Sequence, residues 1–203
     1  MDTWKAVIAL PKSKVGYSSF TRFVHLILSH RTSPQVRAVG VSNFTIEQLE
    51  GIISATGVVP TVNQIEAHPL LPQDDLVAYC KEKGIHITAY SPLGNNLVNK
   101  PKLTDHPTVI EIAKKLNATP AQVLIAWGVY RGYSVIPKSV QEDRIKSNFQ
   151  QIELSKEDYE ALTKVGEGNY TRFNIPYRYT PQWDINLFGE PEEKPATVEV
   201  RVV

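Results

Sequence analysis

Lys138, Ser139 and Arg144 cluster where a short apolar run gives way to a helical stretch. Two cations beside the start of a helix suit an anion, because free N–H groups and the helix dipole favour negative charge there. Arg144 adds a planar fork matched to phosphate oxygens. Taken alone, Lys138 and Arg144 fit a solvated surface equally well. Ser42 and Asn43 end another apolar run and offer a hydroxyl and both halves of an amide to a carboxamide. Gln64 ends a third run and carries a second side-chain amide. Tyr90 can present its ring to a planar heterocycle, and the loop Ser91-Pro92-Leu93-Gly94 behind it lets main chain approach a diphosphate. Buried amides and a core tyrosine are the structural alternatives for these positions. GxGxxG and P-loop patterns are absent, which excludes the usual dinucleotide and triphosphate cradles. His68 and His86 have no carboxylate or cysteine at metal-ligand spacing, so no metal site is expected.

These residues need elements to place them, and the pattern supplies a regular series. Apolar runs Val36 to Val41, Thr61 to Ile65, Ile85 to Tyr90 and Ser134 to Ile136 read as strands. Helical spacing follows at Thr45 to Ala55, Asp74 to Lys83, Thr108 to Leu116, Pro120 to Tyr130, Glu142 to Phe149 and Lys156 to Val165. Strand and helix alternate four times, which predicts an α/β fold with parallel strands and helical crossovers. Every polar candidate sits just after a strand, the edge at which such sheets bind ligands. Two segments break the rhythm. Val15 to Gln35 carries an apolar stretch without turn chemistry, and Gly166 to Val203 shows no period and reads as a terminal loop or flexible tail.

Composition narrows the function classes. The 203 residues carry 22 basic and 21 acidic side chains, so net charge makes no case for a nucleic-acid partner. Cys80, the one cysteine, cannot form an internal disulfide, which predicts a reducing, cytoplasmic setting. No apolar run approaches the roughly 20 residues of a membrane span, and no membrane partner is expected.

Four ordered stretches carry a resemblance. Val39-Gly40-Val41-Ser42-Asn43-Phe44, Asn63-Gln64-Ile65-Glu66-Ala67-His68-Pro69, Ala89-Tyr90-Ser91-Pro92-Leu93-Gly94 and Ile136-Pro137-Lys138-Ser139 are similar to the aldo-keto reductase family in order and spacing. Asp2-Thr3-Trp4-Lys5-Ala6 resembles the family's helix just before this region, and Arg178 to Glu190 the substrate loop of its fungal carbonyl and aldehyde reductases. The resemblance implies an NADP(H)-dependent oxidoreductase on a (β/α)8 TIM barrel, reducing small aldehydes or ketones to alcohols, in a family that is mostly monomeric. It implies that Ser42, Asn43 and Gln64 hold the carboxamide of NADPH or NADP+, that Tyr90 stacks on the nicotinamide, and that Ser91 and Leu93 line the diphosphate. Lys138, Ser139 and Arg144 would grip the 2′-phosphate and Asn148 the adenine. Ser147 departs from the family, which usually has Glu or Gln there.

In this family a tyrosine acid, tuned by a lysine and an aspartate, assists hydride transfer while a histidine orients the carbonyl. Those four lie on the barrel's first four strands, so no catalytic residue is expected in this chain. Lys12, Tyr17, His25 and Asp2 match none of the motifs. A full barrel takes about 250 residues, whereas this sequence supplies about four βα units, an incomplete barrel prone to association. The organisation expected is residues 1–14 as the helix preceding the fifth barrel strand, 15–35 as an insertion, 36–165 as the C-terminal half of the reductase domain, and 166–203 as substrate loop and tail. Removing 15–35 restores the family's link from Lys14 to Val36. Valine codons begin GT and one glutamine codon ends AG, so the insertion reads as a translated intron, with Met1 an internal start. A non-catalytic dinucleotide-binding or interaction fragment is the alternative function.

Overall fold

The computed structural model describes residues 38–94 and 100–200. The expected helix in 1–14 and the insertion 15–35 lie outside the described residues. Strand β1 (Val41–Ser42) leads into helix α1 (Ile46–Thr56), β2 (Val62–Glu66) into α2 (Asp74–Glu82), and β3 (His86–Tyr90) into α3 (Pro107–Lys115) and α4 (Pro120–Tyr130). β4 (Ser134–Ile136) is followed by α5 (Glu142–Phe149) and α6 (Lys156–Lys164). The four strands pair in the order β1-β2-β3-β4, all parallel. The fold is α/β with parallel strands, as the alternation predicts, and its four-stranded sheet is consistent with the incomplete (β/α)8 barrel that the resemblance implies. Among the described residues β1 and β4 are open edges.

Local chemistry explains where the helices begin. Thr45 and Thr119 form capping boxes with Gln48 and Gln122, each satisfying free N–H groups at its helix start. Gly57 closes α1 in the left-handed region, at φ 64°. Helix α4 is buried almost throughout, from Gln122 to Gly128, because it is wedged between the sheet and neighbouring helices. A Cβ on Gly128 would come within 2.8 Å of Val135 Cγ2, so the lack of a side chain lets α4 close onto β4. Leu49, Ile65, Ala89, Val109, Val123, Leu124, Trp127 and Leu162 fill the core between these layers. The Arg131 guanidinium packs over Trp127 and bonds Asp74, the Pro72 carbonyl and the Tyr133 hydroxyl, tying α4 to the start of α2.

Two expectations change. The strand read as Val36 to Val41 is regular only over Val41–Ser42 within the described residues, although the Thr61 N–H still reaches the Val39 carbonyl at 2.7 Å. The segment after Gly166 is irregular, as expected, but it is packed onto the domain. Thr171, Arg172, Phe173, Ile175 and Leu187 are buried, and the Thr171 N–H donates to the Leu70 carbonyl at 2.9 Å. Farther along, β5 (Ile185–Asn186) and β6 (Val198–Glu199) form a short parallel pair. The buried Glu193 carboxylate accepts the N–H groups of Leu187, Phe188 and Glu190. Irregular chain can be packed in this way once its polar groups find partners. The tail lacked a period because side-chain carboxylates, rather than a repeating ladder, hold it.

Candidate functional site

The C-terminal ends of β1, β2 and β3 bring Ser42, Asn43, Gln64 and Tyr90 together. The Ser42 hydroxyl donates to the Gln64 carbonyl at 2.9 Å, and the Asn43 N–H donates to the same oxygen at 2.9 Å. The Tyr90 hydroxyl donates to Asn43 Oδ1 at 3.0 Å. Burial, chiefly, and the nearby Glu66 charge push the Tyr90 phenol well above its ordinary value, so it remains a donor. With its oxygen engaged, Asn43 keeps its amide N–H groups for a ligand acceptor, and Ser42 keeps its lone pairs for a ligand donor. Asn43 and Ser91 both hold positive φ, 61° and 47°, where the chain turns sharply out of its strand.

Leu93, Lys138, Ser139, Arg144 and Asn148 line one cavity of about 710 Å³, together with Gly94, Lys102, Thr104, Asp105, Thr119 and Ser147. Its residues come from the loop after β3, the approach to α3 and α4, and α5. The volume is that of a small-molecule site. Lys138 and Arg144 form no ion pair among the described residues. The Ser139 hydroxyl accepts the Gln141 N–H at 3.2 Å, while no side chain caps the start of α5. Three cations against one carboxylate, with the Ser139 hydroxyl and exposed helix N–H groups beside them, suit a phosphate, and Asn148 suits the edge of a base. The residues present therefore fit a phosphorylated dinucleotide. Ser42, Gln64 and Tyr90 do not border this cavity. Asn43 instead borders a second hollow of about 680 Å³ with Gln73, Tyr170, Arg172 and Phe188.

Sequence reasoning missed the polar centre beneath these groups. Asn63 is buried and exchanges two hydrogen bonds with the Phe44 main chain, fixing the turn after β1. Glu66 and His68 are both fully buried. His68 Nε2 lies 3.0 Å from Glu66 Oε1, which also accepts the Phe173 N–H at 2.9 Å. Glu66 Oε2 accepts the Asn174 N–H at 2.9 Å. Burial raises the Glu66 carboxyl, but the His68 bond and charge and the two N–H donors outweigh it and hold the group below the ordinary carboxylate value. The available signal was two polar residues at i and i+2, which face one way from an extended segment. Among the described residues no cluster of His, Cys, Asp and Glu suits a metal, and no helix is long and apolar enough to cross a membrane.

A family model described as the aldo/keto reductase family matches residues 31–167. The chain belongs to the aldo/keto reductase family. A D/L-glyceraldehyde reductase of Hypocrea jecorina is 50% identical over 202 residues, covering 97% of this chain and 54% of its own length. A glycerol 2-dehydrogenase (NADP(+)) of Saccharomyces cerevisiae is 49% identical over 135 residues, covering 66% of this chain and 42% of its own length. The solved aldose reductase of Giardia lamblia superposes with a TM-score of 0.70 at 31% identity, covering 80% of this chain and 55% of that one. This aldo/keto reductase chain spans about half the length of the curated relatives it matches.

Proposed function

We propose that this chain holds NADPH or NADP+ for an oxidoreductase that interconverts small aldehydes or ketones and their alcohols. The observation that carries the reading is the one cavity that collects Leu93, Lys138, Ser139, Arg144 and Asn148 from separate segments, with three cations, Lys102, Lys138 and Arg144, that form no ion pair among the described residues. Lys138 and Arg144 would hold the 2′-phosphate, with Ser139 donating to it and Asn148 meeting the adenine. Ser91 and Leu93 would border the diphosphate. Asn43 would donate to the carboxamide oxygen, Ser42 and Gln64 would complete its contacts, and the Tyr90 ring would pack on the nicotinamide. When bound, the reduced dinucleotide would supply a hydride to a carbonyl carbon and the oxidised form would accept one from an alcohol. The tyrosine acid and its lysine, aspartate and histidine partners are assigned to no residue of this chain. A cytoplasmic setting accompanies the reading, since Cys80 is a free, buried thiol.

Titration of the chain with NADPH and NADH, followed by quenching of its tryptophan fluorescence, tests the assignment. Charge-assisted bonds are worth about 1.5–3 kcal/mol, so Arg144→Ala and Lys138→Ala should each weaken NADPH binding about tenfold or more. NADH binding should change little. Equal losses for the two dinucleotides would overturn the 2′-phosphate assignment. A second reading, dinucleotide binding or partner docking without turnover, is favoured by the exposed Phe149 and by the two sheet edges that are open among the described residues. NADPH binding without consumption of NADPH in the presence of an aromatic aldehyde is its signature.

A further inference from the structure

Glu66 lies at the end of β2, outside the contacts assigned to the dinucleotide, yet it ties two remote parts of the chain together. Its carboxylate receives the N–H groups of Phe173 and Asn174, each at 2.9 Å, across more than a hundred residues of sequence. His68 Nε2 approaches Oε1 at 3.0 Å. The His68 ring packs against Phe173 with centroids 5.2 Å apart. Held in this way, the Phe173-Asn174 dipeptide touches the loop after β3 at two points. Asn174 Nδ2 donates to Ser91 Oγ at 3.2 Å. The Phe173 ring lies over Gly94 so closely that a Cβ there would sit 2.9 Å from Phe173 Cε2. Ser91 is at φ 47° and Gly94 at φ 66°, so both ends of this loop hold conformations that L side chains disfavour. Glycine takes such a φ freely, but the strain at Ser91 persists only where the surroundings fix it.

We propose that Glu66 is a positioning residue for dinucleotide binding: its carboxylate, steadied by His68, anchors Phe173 and Asn174 so that they hold the Ser91–Gly94 loop in its ligand-ready shape. The proposal rests on the NADP(H) reading and adds to it a residue that touches no part of the ligand. It makes the C-terminal segment part of the cofactor site. The Asn174 amide N–H occupies a Ser91 lone pair, leaving the Ser91 hydroxyl proton available to an oxygen of a bound diphosphate.

Three variants of the full chain, Glu66→Gln, Asn174→Ala and the double variant, test the linkage. The readouts are the NADPH dissociation constant and amide hydrogen exchange at Phe173, at Asn174 and across residues 91–94. Glutamine can accept one of the two N–H bonds but not both, so Glu66→Gln should speed exchange at Asn174 and in the loop and weaken NADPH binding about tenfold. Asn174→Ala leaves the anchor intact and should weaken NADPH by a similar factor without speeding exchange at the Phe173 amide. The double variant should bind NADPH as Glu66→Gln alone does, because both substitutions break one chain of contacts. Additive losses, or an Asn174→Ala variant that binds as the parent does, would overturn the proposal. A parent chain that binds no NADPH overturns the NADP(H) reading itself, and the exchange data then decide separately. Loop 91–94 loosening together with the tail in Glu66→Gln supports the anchor, and loosening of the tail alone refutes it.

Discussion

At the scale of single residues, Glu66 shows how a buried carboxylate becomes favourable. Desolvation alone would raise its pKa, and an unpaired charge in that position would be expensive. Two main-chain donors and His68 reverse the balance. Because the folded pKa lies below the unfolded value, the group binds a proton less readily in the native state than in the unfolded chain. Its stabilisation is therefore complete at neutral pH and is lost as pH falls below the ordinary 4.5 and through the lower folded value. Thermal melts across pH should show Glu66→Gln well below the parent at pH 7, with the gap narrowing steadily on acidification. A gap that is constant with pH would mean that Glu66 contributes packing alone. Cys80 is the opposite case. Burial raises its thiol to about 11, only partly offset by a hydrogen bond with Asn63, so it behaves as a small apolar residue of α2 and not as a nucleophile.

At the scale of elements, the loops after the strands are placed by a strand at one end and a helix at the other. The capping boxes at Thr45 and Thr119 fix where α1 and α4 begin. The polar loops before them are thereby kept short and determinate. The loop after β3 depends on Gly94, which meets two demands together: a φ of 66° and a ring edge against its open side. Gly94→Ala should cost about 1–3 kcal/mol through strain and overpacking. It should also displace Phe173, read as faster amide exchange there and weaker NADPH binding. An alanine variant with the parent's unfolding midpoint would show that the loop yields freely. Arg131 works between elements in the same sense. Its bonds to Asp74 and the Pro72 carbonyl, with its face on Trp127, are why the exit of α4 and the entry of α2 share one corner.

At the scale of the molecule, the four-stranded parallel sheet has two open edges among the described residues, whereas a closed barrel has none. The loop after β4 and helix α5 display the consequence. Phe149 is 91% exposed, Val140 80% and Ile145 53%. Ile145 and Phe149 fall one helical turn apart on α5, so they form one patch rather than scattered exposure. This chain by itself should therefore elute well above its 22.8 kDa. Ile145→Lys with Phe149→Glu should shift it toward the monomer without loss of helical signal. A parent chain that runs as a sharp monomer would show that the patch is covered from within.

Strand, helix and functional edge were legible in the sequence because they follow from local rules. Period decides strand against helix, Thr and Gly mark helix ends, and the candidate pairs sit at strand ends: Ser42 and Tyr90 are the last residues of β1 and β3, and Lys138 stands two residues beyond β4. Leu93, Lys138, Ser139, Arg144 and Asn148 line one cavity. Three-dimensional packing alone decided the rest. Nothing in Gly166 to Val203 announces that Phe173 and Asn174 will donate to Glu66, because main-chain donors carry no sequence signature. His68 looked merely unsuited to a metal until folding placed it on the Glu66 carboxylate that receives the tail. Local sequence can specify an element's period and its caps, since these depend on neighbours a few positions away. A contact between residues 66 and 174 depends on the closure of everything between them, and only the tertiary structure could supply it.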